Sequence, residues 1–171
     1  GSRSRLKKET VLIKDGVIKA FGEKAIKNSE LLGIKPQKAK NMLLAPCLVD
    51  PHSFLESPFS GKEENIHSLI KKATFAGYGQ LGILPRGNPW RDKLESIISL
   101  KTIKSEVLIH LWGGFSLSGE GIALSKHADL LQNGAIGLAE DDFMPPIELL
   151  KQGLLIGEMK KSPILVAPRD K

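Results

Sequence analysis

From Cys47 onward, short apolar runs alternate with segments striped at helical spacing, and this alternation limits the chain to repeated strand–helix units around a parallel sheet. The strand candidates are Cys47 to Asp50, Gln80 to Leu84, Glu106 to Leu111, Ala135 to Ala139 and Pro163 to Ala167. Between them, Ile66, Leu69, Ile70 and Ala73 fall on one helical face that Gly77 can terminate. Leu94, Ile97 and Ile98 stripe a second helix, and Leu124, Ala128 and Leu131 a third that ends at Gly134. Pro145-Pro146 suit the first turn of a fourth, carrying Ile147, Leu150 and Leu154.

A different pattern precedes this region. Thr10 to Gly22 reads as two β-rich strands joined at Asp15-Gly16, a dipeptide that supplies the positive φ of a tight hairpin. A lysine-rich stretch follows, and Met42 to Leu44 are expected to close the small β-layer. The division is therefore an N-terminal β-domain segment over 1–45 and the strand–helix repeats over 46–171. Five strands make about five-eighths of a (β/α)₈ TIM barrel, a fold that takes about 250 residues when complete. Such a sheet has two bare edges, so the reading expects the remainder of the barrel from further polypeptide or a second chain. An open five-stranded sheet of flavodoxin type is the competing architecture.

Composition narrows the function classes. With 41% apolar and 26% charged residues the chain has the makeup of a globular domain rather than a disordered one. The formal charge of +6 is scattered, and the few aromatics are not interleaved with lysines, so a nucleic-acid surface is not expected. No run approaches the roughly 18 apolar residues of a membrane helix. The single Cys47 rules out an internal disulfide and suits the cytoplasm; its apolar strand predicts a buried core residue. His110 lies in the third strand, while His67 and His127 fall off the apolar stripes and read as surface.

The run Leu44-Ala45-Pro46-Cys47-Leu48-Val49-Asp50-Pro51-His52-Ser53-Phe54-Leu55-Glu56 carries the most specific signal. It resembles the metal-binding strand of dihydroorotase-type amidohydrolases, where Pro-Gly-apolar-apolar-Asp-x-His-x-His-apolar-Arg ends the first barrel strand. The resemblance continues along the chain. The Asp15-Gly16 hairpin matches the family's small β-domain, and Ile83-Leu84-Pro85-Arg86-Gly87-Asn88-Pro89 matches its Met-Pro-Asn-Thr-x-Pro. Leu138 to Asp142 matches its metal-binding Asp segment, and Ala167-Pro168-Arg169-Asp170 its His-x-Glu-Asp run.

That resemblance implies a zinc-dependent hydrolase of cyclic amide C–N bonds acting in pyrimidine metabolism. It assigns metal positions to His52 and to Glu140 or Asp141, depending on a one-residue shift, and substrate-binding positions to Arg86 and Asn88. The acidic run is equally suited to helix entry before Pro145. Departures are concentrated in the same places. Phe54 stands where the second His belongs, Ala167 where the fifth-strand His belongs, and Glu56 where an Arg would grip a substrate carboxylate. Arg86 replaces an Asn and either receives an anion or, as the favoured expectation, pairs internally with Glu56. Zinc hydrolases need about three protein ligands and an open position to bring bound water to a pKa near 7. With two donors lost, the site holds an incomplete ligand set or no metal at all, and no catalytic residue is assigned. The expectation is a catalytically impaired relative, a structural or regulatory partner in an oligomer or with a pyrimidine-pathway enzyme. The alternative is an active hydrolase using His52, the 140–142 carboxylates and residues beyond Lys171.

Overall fold

The computed structural model describes residues 7–56 and 64–169, and the chain divides into two compact units, Gly1–Ala45 and Pro46–Lys171. In the first unit, β1 (Val11–Lys14) and β2 (Val17–Phe21) pair antiparallel. Asp15 and Gly16 both take positive φ (54° and 70°), the geometry that matches hairpin twist to strand twist. A helix, α1 (Gly22–Leu31), follows within the lysine-rich stretch, with Ala25 as its buried residue. This element was not anticipated, because its sequence carries no apolar stripe. Met42 to Leu44 form no strand; they are exposed and irregular.

The second unit is a curled sheet of five parallel strands: β3 (Leu48–Ser53), β4 (Tyr78–Ile83), β5 (Leu108–Gly114), β6 (Ala135–Glu140) and β7 (Ile164–Val166). They lie side by side in chain order. A flavodoxin-type sheet would reverse direction after its first two strands, so sequential order identifies part of a (β/α)₈ barrel instead. The connecting helices are α2 (Ile66–Phe75), α3 (Leu94–Lys101), α4 (His127–Gln132) and α5 (Ile147–Lys160). Asn65 caps α2 through its side chain, which accepts the Ser68 N–H at 3.0 Å, while Ser68 answers the Asn65 N–H.

Alternate residues of the strands serve two faces. On the helix side, Leu81, Ile83, Leu111 and Leu138 pack with Ile66, Ala73, Ile97, Leu100 and Leu130. Each such side chain contributes about 1.5–3 kcal/mol on leaving water. On the other side a smaller group, Leu84, Trp112 and Ala139 with Leu165 against them, forms the inner wall of the curl. That wall is open. Val49 on β3 and Leu108 on β5 keep 54% and 60% of their surface exposed.

Cys47 lies just before β3 and is exposed, not buried as its apolar context implied, because β3 is an edge strand of the described sheet. His127 departs in the opposite direction. It opens α4 later than the Leu124 start expected, and is buried with Nε2 donating to the Phe115 carbonyl at 2.7 Å. Burial pushes its pKa down, with that carbonyl opposing. His110 reaches across the sheet to Gln80, 2.9 Å away.

A register shift between Asp50 and Ser53 turns the end of β3 over β4. Pro51 has no N–H for the ladder and sits where a bulge tolerates it. Its carbonyl instead accepts the Trp112 Nε1–H at 3.3 Å. Gly82 makes room beneath: a Cβ there would lie 2.9 Å from the Pro51 carbonyl carbon. Gly82→Ala is expected to lower unfolding free energy by about 1–3 kcal/mol in urea titrations, with an unchanged m-value.

Candidate functional site

The C-terminal ends of the strands converge on a cavity of about 260 Å³ lined by His52, Phe54, Leu84, Arg86, Asp141 and the residues 165–167 of β7 and its exit. In a βα barrel this is the end where loops assemble a site. Asp50 fixes the tip of β3, its carboxylate accepting the Ser53 hydroxyl at 2.6 Å and the His52 N–H at 3.0 Å. The Ser53 bond first, then that N–H, hold the Asp50 pKa below its usual value. His52 is thereby placed on the cavity wall by its own backbone.

Arg86 dominates the mouth. Its Nε lies 2.9 Å from the Asp141 Oδ2, and its Nη2 bonds the Asp142 carboxylate. The Phe54 ring lies alongside, 5.4 Å from ring centroid to the guanidinium carbon, within cation–π range. The expected partner, Glu56, is not used: it is exposed, and its carbonyl accepts the Asn88 N–H at 2.5 Å. Arg169 adds a second guanidinium, with Nε donating to the Asp142 carbonyl at 2.6 Å and Nη2 to that of Asp141 at 3.2 Å.

Beneath them lies a residue that motif reading passed over. Arg91 is fully buried, donating through Nη2 to the Arg86 carbonyl at 2.9 Å. Burial brings its pKa down to about 10, against the pull of the Asp141 charge, so it stays cationic at neutral pH. Its sequence signal is slight, a charged pair Arg91-Asp92 enclosed between Trp90 and a helix start. Trp90 donates to the Ser116 carbonyl at 3.1 Å, and the Asp92 carboxylate accepts the Ser118 N–H at 2.7 Å. This segment therefore anchors the glycine-rich loop after β5.

Of the acidic residues, Asp141 and Glu140 serve different places. Asp141 lines the cavity; Glu140 does not, being fully buried with its Oε2 accepting both the N–H and the hydroxyl of Ser116. Desolvation is the largest influence on both and raises both pKa values, opposed by Ser116 at Glu140 and by Arg86 at Asp141. Asn88 is exposed on its loop and does not line the cavity. Ala167 does line it, offering a methyl group; Asp170 lies outside the described residues.

The site can be tested for zinc on its donors. Among the described residues no group of three or more His, Cys, Asp or Glu side chains is placed to hold a metal ion. The carboxylate nearest His52 in the cavity is already occupied by Arg86. The residues present do not fit the zinc centre that the motif implies.

No family model matches the chain. The fold defines a class, a segment of (β/α) barrel with a cavity at the C-terminal ends of its strands. Individual relatives are more specific. A probable dihydroorotase-like protein of Synechocystis is 26% identical over 153 residues, covering 75% of this chain and 35% of that protein. The dihydroorotase of Elusimicrobium minutum is 26% identical, covering 92% of this chain and 36% of its own length. That of Lactococcus lactis is 24% identical over 86% of this chain. The chain is thus similar to dihydroorotases and a dihydroorotase-like protein over most of its length, and it spans about a third of the length of the relatives it matches.

Two outcomes check this geometry. Arg86→Met is expected to destabilise the protein by about 1–3 kcal/mol, because Asp141 is left desolvated without its cation. Adding Asp141→Asn in that background should restore part of the loss, giving a non-zero coupling energy in a double-mutant cycle of chemical denaturation. The raised pKa of Glu140 gives a pH signature. Its contribution to stability is complete below the usual value of 4.5 and is lost as pH rises through the higher folded value. Glu140→Gln, which keeps an acceptor for Ser116, should flatten that decline in melting curves recorded above pH 4.5.

Proposed function

We propose that this chain belongs to a cytoplasmic, dihydroorotase-like protein of pyrimidine metabolism that no longer hydrolyses a cyclic amide and serves as a structural or regulatory partner of a pathway enzyme. One observation carries the reading: the Arg86 guanidinium lies against Phe54 and binds Asp141 and Asp142, so the mouth of the barrel is neutralised from within. A fixed positive charge at that place repels a divalent cation and occupies the carboxylate that would hold it. Without an activated water the hydrolytic step has no nucleophile.

The bare sides of β3 and β7 and the exposed Val49 and Leu108 support a second element of the reading. The remainder of the barrel, as further polypeptide or a second chain, covers the inner wall, since parallel sheets are stable when buried on both faces. Among the described residues no helix is long and apolar enough to cross a membrane.

His52 and Asp141 share one cavity, which favours the active alternative to that extent. Elemental analysis and a dihydroorotate assay on the whole protein separate the two. The expected result is zinc well below one ion per chain and no ring opening or closing above background. Stoichiometric zinc with turnover would establish the active hydrolase.

A further inference from the structure

At the opposite end of the sheet from the cavity, α2 and the segment leading into β5 enclose a groove of about 450 Å³. Its walls include Ile70, Lys71 and Phe75 of α2, with Lys104 and Glu106 before β5. Phe75 is 96% exposed, the most solvent-accessible large apolar side chain among the described residues. Leaving a whole benzyl group in water forgoes the stabilisation that its burial would give, and the helix does not use it for the core. Lys71 and Lys104 flank it, and among the described residues neither joins an ion pair. By contrast Lys72, one position further along α2, is already bound to Glu64 at 2.8 Å.

An exposed aromatic at the centre and unpaired cations at the rim are the arrangement of a protein-binding hot spot with an electrostatic guide. The geometry points to this groove as a docking site for an acidic segment of a partner protein, one in which carboxylates flank an apolar side chain that packs on Phe75 and Ile70. Charge complementarity selects this occupant. A nucleic acid draws on a track of roughly 6–10 phosphate contacts, whereas here two lysines against the one Glu106 carboxylate leave a short wall of only slight net positive charge, enough to guide a short acidic segment and not a polyanion. The groove lies at the N-terminal ends of the strands, so a partner seated there leaves the cavity at the other end uncovered. This deepens the reading of the chain as a partner subunit by naming the partner's chemistry, and rests on it only for the expectation that a partner exists.

Fluorescence anisotropy on the full chain tests it, using as probe a short synthetic peptide in which glutamates flank a single leucine. Controls are the same peptide with lysines for glutamates and a single-stranded thymidine oligonucleotide. The glutamate peptide is expected to bind, with affinity falling on the order of tenfold or more in Phe75→Ser. In the double variant K71E/K104E preference should shift to the lysine peptide. No binding of the glutamate peptide, binding indifferent to these changes, or displacement of the peptide by the oligonucleotide would overturn the proposal. All three positions are on the surface, and amide-shift mapping on the unaltered chain gives an independent readout. Shifts at α2 and at 104–106 support the groove, and shifts confined to the Arg86 cavity overturn it. Neither zinc nor dihydroorotate enters the measurement, so its failure is separate from a failure of the silent-site reading.

Discussion

A guanidinium held between an aromatic face and a buried carboxylate organises the business end of this sheet. Arg86 comes from the exit of β4, Phe54 from that of β3, Asp141 and Asp142 from that of β6, and Arg169 approaches from beyond β7. One cluster thus ties together four of the five strand ends. Its cohesion comes from desolvation. Burial would force Asp141 toward its neutral form, and the charges of Arg86 and Arg91 work against that. Protein cations thereby draw these strand ends together.

The two faces of the sheet follow different rules. The helix side is continuous and closed, a single cluster running from Ile66 through Leu138. The inner side is anchored by Trp112, bonded to the Pro51 carbonyl at the bulge that presents His52. Cavity and groove therefore stand at opposite ends of a rigid slab, one defined by backbone register, the other by side chains that the slab leaves outside.

Much of the fold was legible in the sequence because it depends on local periodicity. All five strands of the second unit lie within two or three residues of the apolar runs that announced them, and the Asp15-Gly16 hairpin is where its turn chemistry requires. The helix Gly22–Leu31 escaped notice for the converse reason: with Ala25 as its buried residue, it has no stripe to read. His127 looked like a surface residue because its helix starts later than the pattern, and its partner Phe115 is twelve positions away. Long separation hid the site's connections even more thoroughly. Arg86 was matched to the nearest spare carboxylate, Glu56, whereas its partners lie 55 and 56 positions on and meet it only after two further strands have been laid down. Arg91 carries no motif, and a buried arginine cannot be inferred from a residue type that is ordinarily solvated.

The pairing of Phe54 with Arg86 also makes the two positions interdependent. A histidine placed at 54 alone would set a second imidazole beside a permanent cation; an asparagine placed at 86 alone would strip two carboxylates of their counter-charge. Each position is therefore constrained by the residue that stands at the other.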